Sequence, residues 1–167
     1  MPNSGMFAGV EITAPEGTIV NPAFPAAVGA RSITCNKVAR ALTAALGQAL
    51  GPEKAMAAGH DVVPAMVFSG PRPGGEESFV YLETIAGGGG ARAEADGMEA
   101  VQMHMTNTSN LPVEALEHEY SLRVNEYALV PDSGGAGRQR RGLGIAREVA
   151  ATVDGIVFSI RSDGHVI

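Results

Sequence analysis

Two glycine-rich segments restrict what this chain can fold into more than any other feature of its sequence. Four consecutive glycines occupy residues 87–90, and the segment SGGAGRQRRGLG follows at residues 133–144. Glycine loses more backbone freedom on folding than any other residue, so ordering such segments is costly. We therefore expect two long loops, each held in place either by close contacts with neighbouring backbone or by a bound ligand.

Both glycine-rich segments place arginine beside flexible backbone. Arg92 follows the first segment, and Arg138 and Arg140 lie within the second. Backbone N–H groups together with guanidinium groups can hold a carboxylate or a phosphate. The alternative is that the glycines allow tight turns against other backbone and that the arginines are solvated or paired within the protein.

Neither segment has the pattern of a nucleotide-binding loop. No GxxxxGK[ST] sequence occurs in the chain, and the second segment lacks the spacing of a GxGxxG turn between a strand and a helix. The sequence therefore predicts that this chain does not bind ATP by itself.

The composition predicts a single folded domain over residues 1–167. Hydrophobic residues make up 45% of the chain and charged residues 18%, a balance that favours a packed core over disorder. The net charge of -6 argues against nucleic acid and anionic membranes as partners, because both are polyanions. Cys35 is the only cysteine, so no internal disulfide can form. Without a signal-peptide pattern or a long apolar stretch, the chain is predicted to be cytoplasmic.

Periodicity predicts one prominent helix. Apolar residues recur at spacings of three and four from Thr34 to Leu50, with Thr34 as the N-cap and Gly51 just past the end. A second, shorter helix is predicted after Asn110, which would be its N-cap, with Pro112 in the first turn.

Alternating or continuous apolar runs predict short strands. They cover residues 79–86, 120–130, 145–153 and 155–162, together with two shorter strands within residues 6–20 around a turn at residues 14–17. Residues 70–75 and the glycine-rich segments are predicted loops. The expected fold class is α+β, with short, mostly antiparallel strands, one prominent helix and long glycine-rich loops.

Titratable and hydrogen-bonding side chains are densest between residues 104 and 118. His104, Asn107, Asn110, Glu117 and His118 lie in this stretch, and histidine has an unperturbed pKa near neutrality, which suits proton transfer. The competing interpretation is a structural role for His104 and a solvated helix face for His118. The spacing matches no metal-binding motif, so no metal ligand is assigned.

Two nucleophile candidates lie outside that stretch. Cys35 would need a neighbouring base that the sequence does not place, and a small buried side chain is the interpretation that we favour. Ser133 follows Asp132 and precedes glycine, but the sequence is not GxSxG, and a turn explains the pair. The serine-hydrolase interpretation is therefore set aside.

Several segments of the chain carry a combined pattern of Pro, Gly, Asn and Glu positions in a fixed order. They are APEGTIVNPAFPAAVGAR, NKVARALTAALGQALGPE, YLETIAGGGGAR with the following Asp96-Gly97, TNTSNLPVEALEHEYSLRVNEYALVPDSGGAGRQRRGLGIAREV, and FSIRSD. Together they resemble the hydantoinase B/oxoprolinase family. The resemblance covers about residues 8–163, nearly the whole chain. B components of this family are several times longer, and the chain is similar to their C-terminal-central section.

The resemblance implies a component of an ATP-dependent cyclic-amide hydrolase of the N-methylhydantoinase or 5-oxoprolinase type. A hydantoinase A-like subunit would bind ATP and activate the substrate by phosphorylation, and the B component would then complete the chemistry. The implied partners are that A-like subunit, the remainder of the B component and a small cyclic amide substrate. The family's metal ligands lie in the upstream part of the B component, so a metal ion would be held there and none is assigned here.

Two alternatives to this implied function stay open. The same family includes ATP-dependent carboxylases of ketones, and no feature of this sequence separates carboxylation from amide hydrolysis. The chain could also be a non-catalytic structural fragment of a split or truncated gene.

The resemblance and the chemistry of a cyclic amide together place a set of residues nearest the implied pocket. The predicted catalytic residues are Asp96, Asn107, Asn110 and Glu117, and the predicted substrate-binding or anion-binding residues are Arg92, Arg138, Arg140, Gly88 and Gly89. Asparagine would bind polar substrate atoms, and arginine would hold the anion that forms after activation. Arg141 departs from the family pattern, which has glycine there in RGGLG, and this change bears on the close packing of that loop.

Overall fold

The computed structural model describes residues 5, 8–54, 57, 63–102 and 105–162. In chain order the elements are α1 (Arg31–Leu50), β1 (Ala65–Pro71), β2 (Ser78–Thr84), α2 (Val113–Glu119), β3 (Leu122–Leu129), β4 (Ile145–Ala151) and β5 (Val157–Arg161), with one 3-10 turn, Pro52–Lys54, after α1. Both glycine-rich segments are loops without helix or strand. The predicted α+β fold class is confirmed.

The strands form two antiparallel sheets. Strands β2, β1 and β5 make a three-stranded sheet in that order, and β3 pairs with β4 in a two-stranded sheet. Strand β1 is missing from the sequence predictions, and the predicted loop at residues 70–75 begins within it. Because β1 is hydrogen-bonded to a strand on each side, its pairing continues through Gly70 although glycine and proline are common in loops.

The last two predicted strands form, but they do not pair with each other. After β4 the chain turns at residues 154–155, and β5 crosses to the other sheet. There Phe158 lies opposite Phe68 of β1, with their ring centroids 4.9 Å apart. This aromatic pair stabilises the three-stranded sheet from its edge.

The two short strands predicted near the N-terminus are wrong for the residues described there. Residues 8–20 contain turns and one isolated bridge, between Thr18 and Asn21. Ile12 and Ile19 are 81% and 82% exposed, so the apolar side chains of this segment have no sheet to pack against. The turn at Gly17 is present, with a positive φ of 77° that suits glycine.

Both predicted helices form, but both N-caps are wrong. Helix α1 begins at Arg31, one turn before Thr34, and its N-cap residue Ala30 makes no side-chain capping bond. No glycine or proline lies between these residues to prevent the earlier start. Helix α2 has Pro112 as its N-cap, and the amide of Asn110 is bonded elsewhere.

The core lies between the three-stranded sheet and the unit formed by α2 with β3 and β4. Strand β2 alternates strictly between exposed and buried residues, and its buried side chains face this core. The buried apolar cluster consists of Met66, Phe68, Phe79, Tyr81, Leu116 and Leu122. Burial on a single face of β2 places its polar residues of the same parity at the edge of this core.

Candidate functional site

A polar cavity of about 800 Å³ lies beside strand β2. Its walls come from the first turns of α1, from β2 and from residues 105–112. The hydrogen-bonding side chains of the lining are Arg31, Ser32, Asn36, Tyr81, Glu83, Thr84, Thr106, Thr108, Ser109 and Asn110. A cavity of this size is large enough to hold a small organic ligand.

Helix α1 contributes Ser32, Cys35 and Asn36, which share one helix face because they are three and four residues apart. Asn36 is only 3% exposed, and its side-chain oxygen Oδ1 has no hydrogen-bond partner. Cys35 is exposed and lines the cavity, so the prediction of a buried filler is wrong. The first turns of α1 pass beside the cavity instead of packing into the core, which leaves this side chain accessible.

Strand β2 contributes Tyr81 and Glu83, which are two residues apart and lie on the same face. The Glu83 carboxylate pairs with Arg147 of β4 at 3.1 Å, and these side chains are 3% and 1% exposed. The Arg147 guanidinium also lies over the Tyr127 ring, 4.7 Å from its centroid. Burial, and then the neighbouring Glu83 carboxylate, raise the pKa of Tyr81, so its hydroxyl stays protonated at neutral pH.

Residues 105–112 close the cavity from the side opposite α1. Asn110 donates from Nδ2 to the Thr84 carbonyl oxygen at 2.9 Å and accepts from the Tyr127 hydroxyl at 2.9 Å. Met105 and Asn107 have positive φ values of 87° and 41°, which are uncommon for residues with side chains. The two hydrogen bonds fix Asn110 in the cavity wall.

The two glycine-rich segments meet in a backbone contact that we call the glycine junction, formed by residues 87–100 and 134–144. Gly89 donates its N–H to the Met98 carbonyl at 2.8 Å and accepts at its own carbonyl from Gly142 at 3.0 Å. Gly97 donates to the Arg140 carbonyl at 2.8 Å. These amides are therefore bonded to protein carbonyls.

Arginines of the glycine junction are also bound within the protein. Arg140 pairs with Glu99 at 2.5 Å and with Asp96 at 3.6 Å. Glu99 also accepts a hydrogen bond from the Leu143 N–H, and its bonds to Arg140 first and to Leu143 next lower the pKa of Glu99. Arg141 donates to the Gly87 carbonyl at 2.5 Å, so this departure from the family pattern adds a contact between the segments, whose backbones stay closely packed.

Comparison with known proteins assigns the chain to a family. The model of the hydantoinase B/oxoprolinase family matches residues 1–167. The chain belongs to the hydantoinase B/oxoprolinase family. The expectation from the sequence is thereby confirmed.

Curated relatives of this hydantoinase B-family chain are much longer than it. The B component of a D-/L-hydantoinase from Pseudomonas sp. (strain NS671) is 40% identical over 98% of the chain, which covers 27% of that relative. A 5-oxoprolinase from Dictyostelium discoideum is 35% identical over 88% of the chain and 11% of the relative. The beta component of the caprolactamase from Pseudomonas jessenii is 31% identical over 88% of the chain and 26% of the relative. The chain thus spans about a quarter, or less, of these proteins.

The residues predicted for the site occupy separate places in this family member. Asn110 alone among them lines the cavity, and the adjacent Asn107 is exposed beside it. Glu117 is exposed and accepts from the Val124 N–H at 2.9 Å, where α2 leads into β3. Gly88, Gly89, Asp96 and Arg140 belong to the glycine junction. Arg92 and Arg138 are exposed on its segments, and His104 lies outside the described residues.

Asn36, Tyr81 and Glu83 line the cavity and were missed in the sequence. For Glu83 the signal was present, because a glutamate shares the parity of the buried residues Phe79 and Tyr81 within an apolar strand. A charged residue at such a position indicates a buried ion pair or a site. Asn36 gave no such signal, since polar residues are common on a helix with one apolar stripe.

The described part of the chain offers neither a metal centre nor a membrane segment. Among those residues, no three His, Cys, Asp or Glu side chains lie close enough together to hold a metal ion. The family's metal thus finds no fitting donor set here. No helix among them has the length and apolarity needed to cross a membrane.

Proposed function

We propose that this chain is a segment of the B component of an ATP-dependent cyclic-amide hydrolase of the N-methylhydantoinase or 5-oxoprolinase type. The observation that carries the proposal is the family match over residues 1–167. The relatives named for a hydantoinase, an oxoprolinase and a caprolactamase support it further. Hydantoin, 5-oxoproline and caprolactam all contain an amide within a ring, so the bond that they share is a cyclic C–N bond.

The proposed mechanism divides the reaction between two components. An amide carbonyl is a poor electrophile, and phosphorylation of its oxygen with ATP supplies a better leaving group. A hydantoinase A-like subunit would bind ATP and carry out this step, as the chain itself has no nucleotide-binding motif. The B component would then hold the ring and direct water to the activated carbon. We place the reaction in the cytoplasm, where ATP is available.

The cavity beside β2 is the part of this chain that we assign to ring binding. It holds about 800 Å³ and carries amide, hydroxyl and carboxylate groups on one wall or another. The glycine junction is assigned a supporting role, because its amides and Arg140 are bonded within the protein. The anion-binding role predicted for Arg92, Arg138 and Arg140 stays a prediction.

Reconstitution tests the proposed function. The chain would be combined with the remaining part of a B component and with a hydantoinase A-like subunit, and ring opening of hydantoin, 5-oxoproline and caprolactam would be followed with and without ATP. We expect ring-opened product only when ATP and every component are present. Absence of ring opening for every cyclic amide would contradict the proposal. Bicarbonate incorporation into a ketone by the same assembly would instead support the carboxylase alternative.

A further inference from the structure

The cavity wall contains buried oxygen atoms that have no hydrogen-bond partner. Asn36 Oδ1 and Thr106 Oγ1 are both buried and unpaired, and both residues line the cavity. Asn110, on the same wall, has its side-chain nitrogen and oxygen bonded to Thr84 and Tyr127. Buried polar groups are nearly always paired in folded proteins, so an unpaired acceptor in a ligand-sized cavity indicates a bond that forms with a ligand.

The unpaired groups call for a ligand that donates hydrogen bonds. The Asn36 oxygen can only accept, and the Thr106 hydroxyl can accept or donate. Glu83 adds a carboxylate to the wall, but its charge is balanced by Arg147 at 3.1 Å. The exposed Arg31 adds positive charge to the same lining, which disfavours an ammonium ion. A neutral molecule with an N–H group is the chemical class that fits.

We infer that Asn36 is a specificity-determining residue whose Oδ1 accepts a hydrogen bond from the ring N–H of a neutral cyclic amide in this cavity. This inference rests on the proposed function, which supplies the cyclic amide. A ring with a methyl group on that nitrogen has no hydrogen to donate, so it leaves the buried oxygen unpaired. Asn36 therefore selects rings with a free N–H over their N-methyl derivatives.

Binding measurements on the reconstituted assembly test this inference without relying on turnover. Caprolactam and N-methylcaprolactam would be titrated into the assembly by calorimetry in the absence of ATP. The variants are Asn36→Leu, which removes the acceptor at similar size, and Asn36→Asp, which keeps an oxygen at the same position. Asn125→Leu is the matched control, because Asn125 is an exposed residue of β3 that bonds to Glu148 outside the cavity.

We expect Asn36→Leu to weaken caprolactam binding about tenfold, the size of one hydrogen bond, and to leave N-methylcaprolactam binding unchanged. Asn36→Asp should keep a preference for caprolactam, and Asn125→Leu should bind both compounds like the parent protein. The melting temperature of Asn36→Leu should equal or exceed that of the parent, because an unpaired buried acceptor has been removed. This result separates a binding role from a structural one.

Cys35 shows whether the ligand occupies this cavity. It is exposed, lines the same wall and is the chain's only cysteine. Caprolactam should slow alkylation of Cys35, measured by mass spectrometry of its peptide, in the parent protein and less so in Asn36→Leu. Equal weakening of both compounds, unchanged binding of caprolactam, or unprotected Cys35 would overturn the inference. An assembly that opens cyclic amides but gives one of these results keeps the proposed function and loses only the role of Asn36.

Discussion

Gly97 and Gly142 occupy points where one backbone passes directly against another. A Cβ atom on Gly97 would lie 2.0 Å from the Gly89 carbonyl oxygen, and one on Gly142 would lie 2.0 Å from the Met98 carbonyl oxygen. Any side chain would force these segments apart and break the hydrogen bonds between them. Close contact between backbones thus offsets the cost of ordering the glycine-rich segments.

Replacing Gly142 with alanine tests this steric requirement. We expect Gly142→Ala to destabilise the chain by about 1–3 kcal/mol, the usual cost of overpacking, because the new methyl group meets backbone that cannot rotate away. Gly135→Ala is the matched control in the same segment, since its nearest neighbour is the Arg141 Cβ at 3.6 Å. Chemical denaturation of both variants measures the effect. Equal stability of the two variants would contradict the steric explanation.

Glu99 makes the stability of the glycine junction depend on pH. Its bonds to Arg140 and to the Leu143 N–H lower the pKa of Glu99 below its ordinary value of 4.5. The contribution of Glu99 to stability is therefore complete above pH 4.5 and is lost as the pH falls from there through the lowered pKa. Glu99→Gln should remove this part of the acid destabilisation. Denaturation midpoints between pH 3 and 7, roughly the range over which a carboxyl group titrates, provide the measurement; parallel pH curves for both proteins would contradict the assignment.

At the scale of elements, the Glu83 and Arg147 ion pair joins the two sheets. Glu83 belongs to β2 and Arg147 to β4, and both side chains are almost fully buried. Two buried charges are tolerated because each neutralises the other, so the pair fixes how the sheets align more than it adds stability. Glu83 also lines the cavity, which ties the shape of the cavity to the alignment of the sheets.

Removing one member of this pair should be more harmful than removing both. Arg147→Met leaves the Glu83 carboxylate buried without a partner, and we expect it to cost about 3–5 kcal/mol of stability. The double variant Glu83→Leu/Arg147→Met should recover much of that loss, because no uncompensated charge remains. Urea denaturation of the single and double variants gives the comparison. A double variant less stable than Arg147→Met would show that the pair itself supplies the stability.

Elements with a clear local period could be predicted from the sequence, and elements defined by distant contacts could not. Strands β2 and β3 follow apolar alternation, and α1 follows a helical repeat. The sheet position of β5 depends on its distant partner β1, which local periodicity cannot reveal. The cavity illustrates the same limit, because it joins α1, β2 and residues 105–112, and the sequence placed only Asn110 of the predicted residues there.

At the scale of the whole molecule, two apolar surfaces of the described residues face solvent. One is a stripe along α1, which we call the α1 stripe, formed by Val38, Leu42, Leu46 and Leu50 with exposed fractions of 39%, 59%, 57% and 58%. The other is the outer face of the three-stranded sheet, where Val80, Leu82 and Val157 are 75%, 60% and 63% exposed. Groups of exposed apolar residues mark surfaces that contact other protein. Relatives about four times as long have far more chain with which to cover such surfaces.

The α1 stripe should make the isolated chain self-associate, because in the absence of other subunits only further copies can bury it. We expect the mass measured by light scattering after size exclusion to rise with protein concentration. Leu42→Glu/Leu46→Glu should reduce this rise while changing the free energy of unfolding by only about 0.5 kcal/mol, since both leucines are exposed. Ala44→Glu/Gln48→Glu adds the same charges with the same spacing on the opposite side of the helix, so it should associate like the parent. A parent chain that stays monomeric at every concentration, or equal masses for the two double variants, would show that the α1 stripe does not drive association.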